Sequence, residues 1–156
     1  MRLVDYLSTN RIFIDLKAGP KEEILHQIVR QVVEKGEIPP EKSEIFFQKL
    51  MERESLKSTG IGHGVAVPHA IIEDIGKSFV SLSLCQEGTD FDSIDHKMVH
   101  IVITLVGPLR DRPIHLKLLA CIARLMIIPE IPQQILQAHS PADVYCLLLE
   151  KEGCGD

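Results

Sequence analysis

The chain has 156 residues, 45% apolar and 25% charged, with a net charge of −5. That length suits one domain with a substantial core, and the balanced composition excludes disordered and fibrous classes. An acidic chain with 4% aromatics and no Trp lacks both the clustered cations and the stacking platform that nucleic acid requires, so no nucleic-acid partner is expected.

In chain order, the opening MRLVDYLSTNR carries charges where a signal peptide needs its apolar core. RIFIDL (11–16) predicts a strand. Pro20 then opens an amphipathic helix with Lys21, Glu22 and Glu23 in its first turn. Its stripe is Ile24, Leu25, Ile28, Val29, Val32 and Val33, and Gly36 stops it. After Pro39 and Pro40 a second helix is predicted from Glu41 to Glu54, burying Ile45, Phe46, Leu50 and Met51. A glycine-rich loop follows, flanking the short apolar stretch Val65–Val67. FVSLSLC (79–85) alternates, with Val80, Leu82 and Leu84 on one face, as in a half-buried strand. VHIVITLV (99–106) is almost wholly apolar and predicts a strand covered on both faces, ended by Gly107 and Pro108. HLKLLACIARLM (115–126) predicts a buried helix. Ser140, Pro141 and Asp143 form a capping-box pattern that starts a last helix through Leu149. Helices interleaved with strands of both kinds imply an α/β fold, a mixed sheet flanked by helices on both faces.

No apolar run approaches the ~20 residues of a membrane span. Cys85, Cys121, Cys146 and Cys154 are widely spaced with no C-x-x-C pair, which fits reduced thiols better than a disulfide frame or structural zinc. A soluble, cytoplasmic protein that is not membrane-embedded is expected.

GIGHGVAVPHA (60–70) is the most informative stretch. Alternating glycines at Gly60, Gly62 and Gly64 can bring backbone N–H groups close to an anion, or simply make a tight connection. Neither the dinucleotide fingerprint nor the P-loop pattern matches. Pro68 restricts the backbone just before His69. An imidazole is largely neutral, and so nucleophilic, near pH 7. A loop histidine beside free donors suits transient capture of an electrophile, phosphoryl best of all; the alternative is a solvated or satisfied side chain. Metal binding is the competing use, through His63 and His69 or through His96 and His100. Zinc spacing is absent, however, and His100 falls in a predicted strand, so no metal and no cofactor is expected. Hydrolysis by Ser58 or Thr59 with His69 lacks the G-x-S-x-G elbow.

STGIGHGVAVPHA (58–70) closely resembles the phosphorylation-site signature of type-2 enzyme IIA domains of the bacterial phosphotransferase system, the fructose, mannitol and nitrogen-regulatory branch. MERES (51–55) resembles the segment that carries the family's active-site arginine, here Arg53. HLKLLACIARLM resembles the helix opened by its second active-site histidine, here His115. The resemblance spans nearly the whole chain and implies a single IIA domain over residues 1–156. It implies that His69 accepts a phosphoryl group from the histidine phosphocarrier protein, with His115 and Arg53 as partners of the phosphoryl oxygens. Ser58, Thr59, Gly60, Gly62 and Gly64 would form the phosphoryl-binding loop. Position 63, often Asn in the nitrogen-regulatory members, is His here. A free-standing chain without segments resembling IIB or IIC is most like that regulatory branch, and a separate sugar-specific IIA protein serving a IIB domain also fits. A regulatory module whose phosphorylation switches its target proteins, with no onward transfer, is the functional alternative.

Overall fold

The computed structural model describes residues 1–153. In chain order its elements are β1 (Ile12–Phe13), α1 (Lys21–Glu34), α2 (Ser43–Leu56), β2 (Gly60–Gly62), β3 (Val65–Ala66), β4 (His69–Ile71), β5 (Phe79–Thr89), β6 (Val99–Gly107), α3 (Arg112–Met126), α4 (Glu130–Leu136) and α5 (Pro141–Gly153). The strands form one mixed sheet in the order β1-β5-β6-β3-β2, with β4 also paired to β6. β5 and β6 are antiparallel, while β1 runs parallel to β5, and β3 and β4 run parallel to β6.

The predicted two-faced architecture is observed. Ile24, Leu25 and Ile28 of α1, with Phe46 and Leu50 of α2, pack on Val102 and Val106 on one face. Leu118 and Ile122 of α3, Ile131 of α4, and Val144 and Leu148 of α5 pack on Leu82, Ile101 and Ile103 on the other. Gly36 ends α1 as expected: at φ 78° it donates to Val33 O while Glu37 donates to Val32 O, a Schellman closure that suits glycine. Ser140 Oγ accepts the Asp143 N–H at 3.1 Å, but the Asp143 carboxylate accepts from His139 rather than from Ser140. The capping box is therefore half made.

Several boundaries differ from expectation. The strand predicted over 11–16 is laddered to β5 only at Ile12 and Phe13. Arg11 belongs to the 3-10 turn Thr9–Arg11 and clamps Val80 O, Tyr6 O and Glu37, and the chain bends at Ile14 before Leu16 N–H returns one bond to Leu84 O at 3.0 Å. β5 is longer than predicted and is covered on both faces over Phe79–Cys85. Its alternate residues Ser81 and Ser83 are small enough to be buried beneath the α1 side, where Ser83 Oγ donates to Gln31. α2 runs to Leu56, and Ile45 is 40% exposed rather than buried. α3 starts at Arg112, before His115, since Pro113 fits the first turn. It is not buried throughout: Leu116 is 63% exposed. α4 was not predicted. Cys85 and Cys121 are buried free thiols and Cys146 an exposed one; Cys154 lies outside the described residues. Among the described residues no helix is long and apolar enough to cross a membrane.

Candidate functional site

His69 stands not in a loop but at the first position of β4, in register with Leu105 of β6. Pro68 O accepts the Leu105 N–H at 3.0 Å, so the backbone on both sides of the imidazole belongs to the sheet. The ring Nδ1 is 3.0 Å from Val67 O, and Arg53 Nε donates to Nε2 at 3.2 Å. A carbonyl only accepts and a guanidinium only donates. The network therefore assigns the proton to Nδ1 and a lone pair to Nε2. Burial holds the His69 pKa below its ordinary value, and the Arg53 charge acts the same way against the opposing bond to Val67. The ring is a neutral base with its free nitrogen turned to a cation.

Arg53 lies in the last turn of α2. Its Nη1 donates to Lys57 O at 2.7 Å, so the side chain is held at both its Nη1 and Nε positions.

His115, in the first turn of α3, is 5% exposed, with Nε2 3.0 Å from Ser78 Oγ. Ser78 Oγ donates to Asp111 Oδ2 at 2.8 Å and Ser78 N–H to the same oxygen at 3.3 Å. A carboxylate only accepts, so the serine proton goes to Asp111 and His115 Nε2–H is donated to Ser78, leaving His115 Nδ1 free of this chain of bonds. Burial pushes the His115 pKa down and the Asp111 charge opposes it. Gly107 makes the contact possible, since a Cβ there would overlap both Ser78 Oγ and His115 Nε2.

Two open grooves meet at His69 and Arg53. One, of ≈1010 Å³, contains His115, Arg112 and Lys49; the other, of ≈560 Å³, contains Ser58, Thr59 and Gly60. Exposed apolar side chains rim them: Ile45, Leu56, Leu109 and Leu116 on the first, Ile61 and Ile94 on the second.

The structure thus brings together His69, Arg53, His115, Ser58, Thr59 and Gly60. It does not bring Gly62 and Gly64 to them. β2 and β3 form a bulged hairpin whose turn is Gly62 (φ 91°), His63 (φ 59°) and Gly64 (φ 76°), conformations that favour glycine. β3 registers Val65 with Ile101, four positions before Leu105, the partner of His69. Gly62 faces Asp95 and Gly64 faces His100 instead. His63 shares that remote end with His100. Among the described residues no group of three or more His, Cys, Asp or Glu side chains is placed to hold a metal ion. The Ser58 hydroxyl and both donors of Thr59 are also committed: Ser58 Oγ to Phe91 O, Thr59 N–H and Oγ1 to the Glu54 carboxylate. The reading of the sequence missed Ser78, Asp111, Gly107 and Glu54. Of these only Asp111, just before α3, carried a local signal, that of a helix-cap residue.

The family model described as "Phosphoenolpyruvate-dependent sugar phosphotransferase system, EIIA 2" matches residues 5–151. A nitrogen regulatory protein of Bradyrhizobium diazoefficiens is 28% identical over 148 residues, which cover 95% of each chain. A fructose-specific EIIABC component of the phosphotransferase system of Bacillus subtilis is 26% identical over 140 residues, 90% of this chain, and the chain spans only 22% of that relative's length. Among solved structures, the nitrogen regulatory protein IIA-Ntr of Neisseria meningitidis matches with a TM-score of 0.84 over 93% of this chain and 97% of the other, at 24% identity. That likeness shows the shared fold.

Proposed function

The chain belongs to the phosphoenolpyruvate-dependent sugar phosphotransferase system EIIA 2 family, and from that premise we propose that it is a phosphocarrier that accepts a phosphoryl group on His69 Nε2. The observation that carries this is the fixed tautomer: Val67 O holds the proton on Nδ1, so the nucleophilic lone pair is on the nitrogen facing Arg53. The donor would be the phosphohistidine of the histidine phosphocarrier protein. Its N–P bond breaks as the Nε2–P bond forms, and the positive charge gained by the His69 ring is shared with Val67 O through Nδ1–H. Arg53 Nε–H then moves its bond from the ring nitrogen to a phosphoryl oxygen. His115, held through Nε2 by Ser78 and Asp111, has Nδ1 left to take a proton and answer the incoming dianion. Ser58, Thr59 and Gly60 act as a fixed wall rather than as donors, and Gly62 and Gly64 serve the hairpin turn.

The apolar rim around the grooves suits the approach of a second protein. A IIB domain is the expected acceptor if transfer continues, in line with the name of the EIIABC relative. Regulation of target proteins by the phosphorylated and unphosphorylated forms is the second reading, favoured by the match to a nitrogen regulatory protein over 95% of both lengths. We read residues 1–156 as one such domain, in the cytoplasm.

The test is reconstitution with phosphoenolpyruvate, enzyme I and the histidine phosphocarrier protein. An acid-labile, base-stable modification should appear on His69 and vanish in His69→Ala, with circular dichroism checking that the variant is folded. Full labelling of His69→Ala would refute the assignment. Adding candidate IIB domains separates onward transfer from a purely regulatory role.

A further inference from the structure

Glu54 is a charged side chain only 5% exposed, and the phosphoryl chemistry above does not use it. A buried carboxylate must be paired, and this one is paired thoroughly. Its Oε2 accepts the Thr59 N–H at 3.0 Å, and its Oε1 accepts the Thr59 hydroxyl at 2.6 Å. Lys21 of α1 places Nζ 3.0 Å from Oε2, 3.3 Å from Asp92, and 5.3 Å from the centre of the Phe91 ring. The Phe91 carbonyl in turn accepts from Ser58. Elements from three parts of the chain thus converge on one corner, where α2 ends at Leu56 and the backbone turns extended at Lys57 (φ −169°, ψ 141°). The Lys57 carbonyl at that corner is the acceptor of Arg53 Nη1.

We propose that Glu54, with Lys21 and Thr59, is a positioning unit that locks the helix-to-strand corner and, through the Lys57 carbonyl, holds the Arg53 guanidinium on His69 Nε2. Its consequence for transfer rests on the phosphocarrier reading; its geometry does not. A merely structural role would lower stability and leave the Arg53–His69 contact in place.

The two are distinguished by NMR titration of the His69 ring in the full, unphosphorylated chain, with His115, the other histidine coupled to it, followed in the same spectra. Arg53 lowers the His69 pKa and Glu54 raises it, the Arg53 effect being the larger. In Glu54→Gln with Arg53 still in place, the pKa must fall. If the corner loosens and Arg53 withdraws, it rises. Thr59→Val alters no charge, so a rise in the pKa that comes with loss of the Arg53 Nε–His69 Nε2 hydrogen bond in the same spectra, rather than with exposure of the ring alone, reports movement of Arg53, and Thr59→Ser should restore it. We expect a rise in both variants and ~10-fold slower phosphoryl uptake, the scale of a misplaced supporting group. A fall in Glu54→Gln with no change in Thr59→Val overturns the proposal, whatever happens to the melting temperature. If Glu54→Gln does not fold, Thr59→Val decides alone. If the wild type takes up no phosphoryl group, the phosphocarrier reading fails and the titration still decides the positioning role.

Discussion

Gly107→Ala is expected to damage the site without touching the nucleophile. Gly107 closes β6, and its carbonyl accepts the Ile72 N–H at 2.9 Å, so the backbone has little freedom to retreat. A methyl group there would overlap Ser78 Oγ and His115 Nε2 and stand 2.9 Å from Ser78 Cβ. Both neighbours are buried, at 4% and 5% exposure, so neither can swing into solvent. Overpacking of this kind costs ~1–3 kcal/mol, and loss of the Ser78–His115 hydrogen bond adds about 1 kcal/mol. Each kcal/mol lowers the melting temperature of a domain this size by ~2–4 °C, so calorimetry should show a drop of roughly 4–16 °C. Ser78→Ala in the same chain removes one of the two overlapping groups and should recover part of it. His69 keeps its bonds to Val67 and Arg53, so single-turnover transfer should still label His69, slowed by ~10²-fold through displacement of His115. Wild-type melting and wild-type transfer in Gly107→Ala would refute both the packing argument and the role of His115.

Arg53→Lys keeps the charge but cannot hold Lys57 O and His69 Nε2 together, because the planar fork is lost; slower transfer at the same histidine is expected, and unchanged kinetics in both directions would remove Arg53 from the mechanism. His69 and His115 both have pKa values held below the ordinary 6.5 by burial. The unfolded chain therefore binds protons first as pH falls below 6.5, and the stability these rings allow above that pH is lost on acidification towards their folded pKa values. Denaturant midpoints across this window should fall less steeply in His69→Gln than in wild type, and parallel curves would count against the burial argument. Leu56, 82% exposed on the groove rim, has little to lose on mutation. Leu56→Glu should leave stability within ~0.5 kcal/mol yet raise the phosphocarrier concentration needed for half-maximal transfer by ~10-fold, the cost of a hot-spot side chain; an unchanged requirement would place the docking surface elsewhere.

Much of the fold was legible because burial imposes periodicity locally. The stripe of α1, its Pro20 start and Gly36 stop, and the unbroken apolar run of β6 are each set within one element. Strand limits were less legible, since pairing depends on a partner distant in sequence: 11–16 looks uniform, yet the ladder with β5 holds only at Ile12 and Phe13, with one further bond from Leu16 to Leu84 beyond a bend. The serines of β5 suggested a solvated face, and only the packing of α1 over them shows that they are covered.

The site divides the same way. In the sequence His69 stands out by its own surroundings, Pro68 and the alternating glycines, whereas Arg53 and His115 stand out only through the resemblance of MERES and HLKLLACIARLM to segments of the family. What the glycines do was decided by the tertiary structure. Gly60 lies against Ser93 in a way that excludes a side chain, whereas Gly62 and Gly64 turn a hairpin at the far end of β6 from His69. The tautomer of His69, the bond of His115 to Ser78, the clearance at Gly107 and the burial of Glu54 are properties of side chains that meet across different strands and helices. Local pattern carries no record of such meetings, since they exist only once the sheet has set the distances.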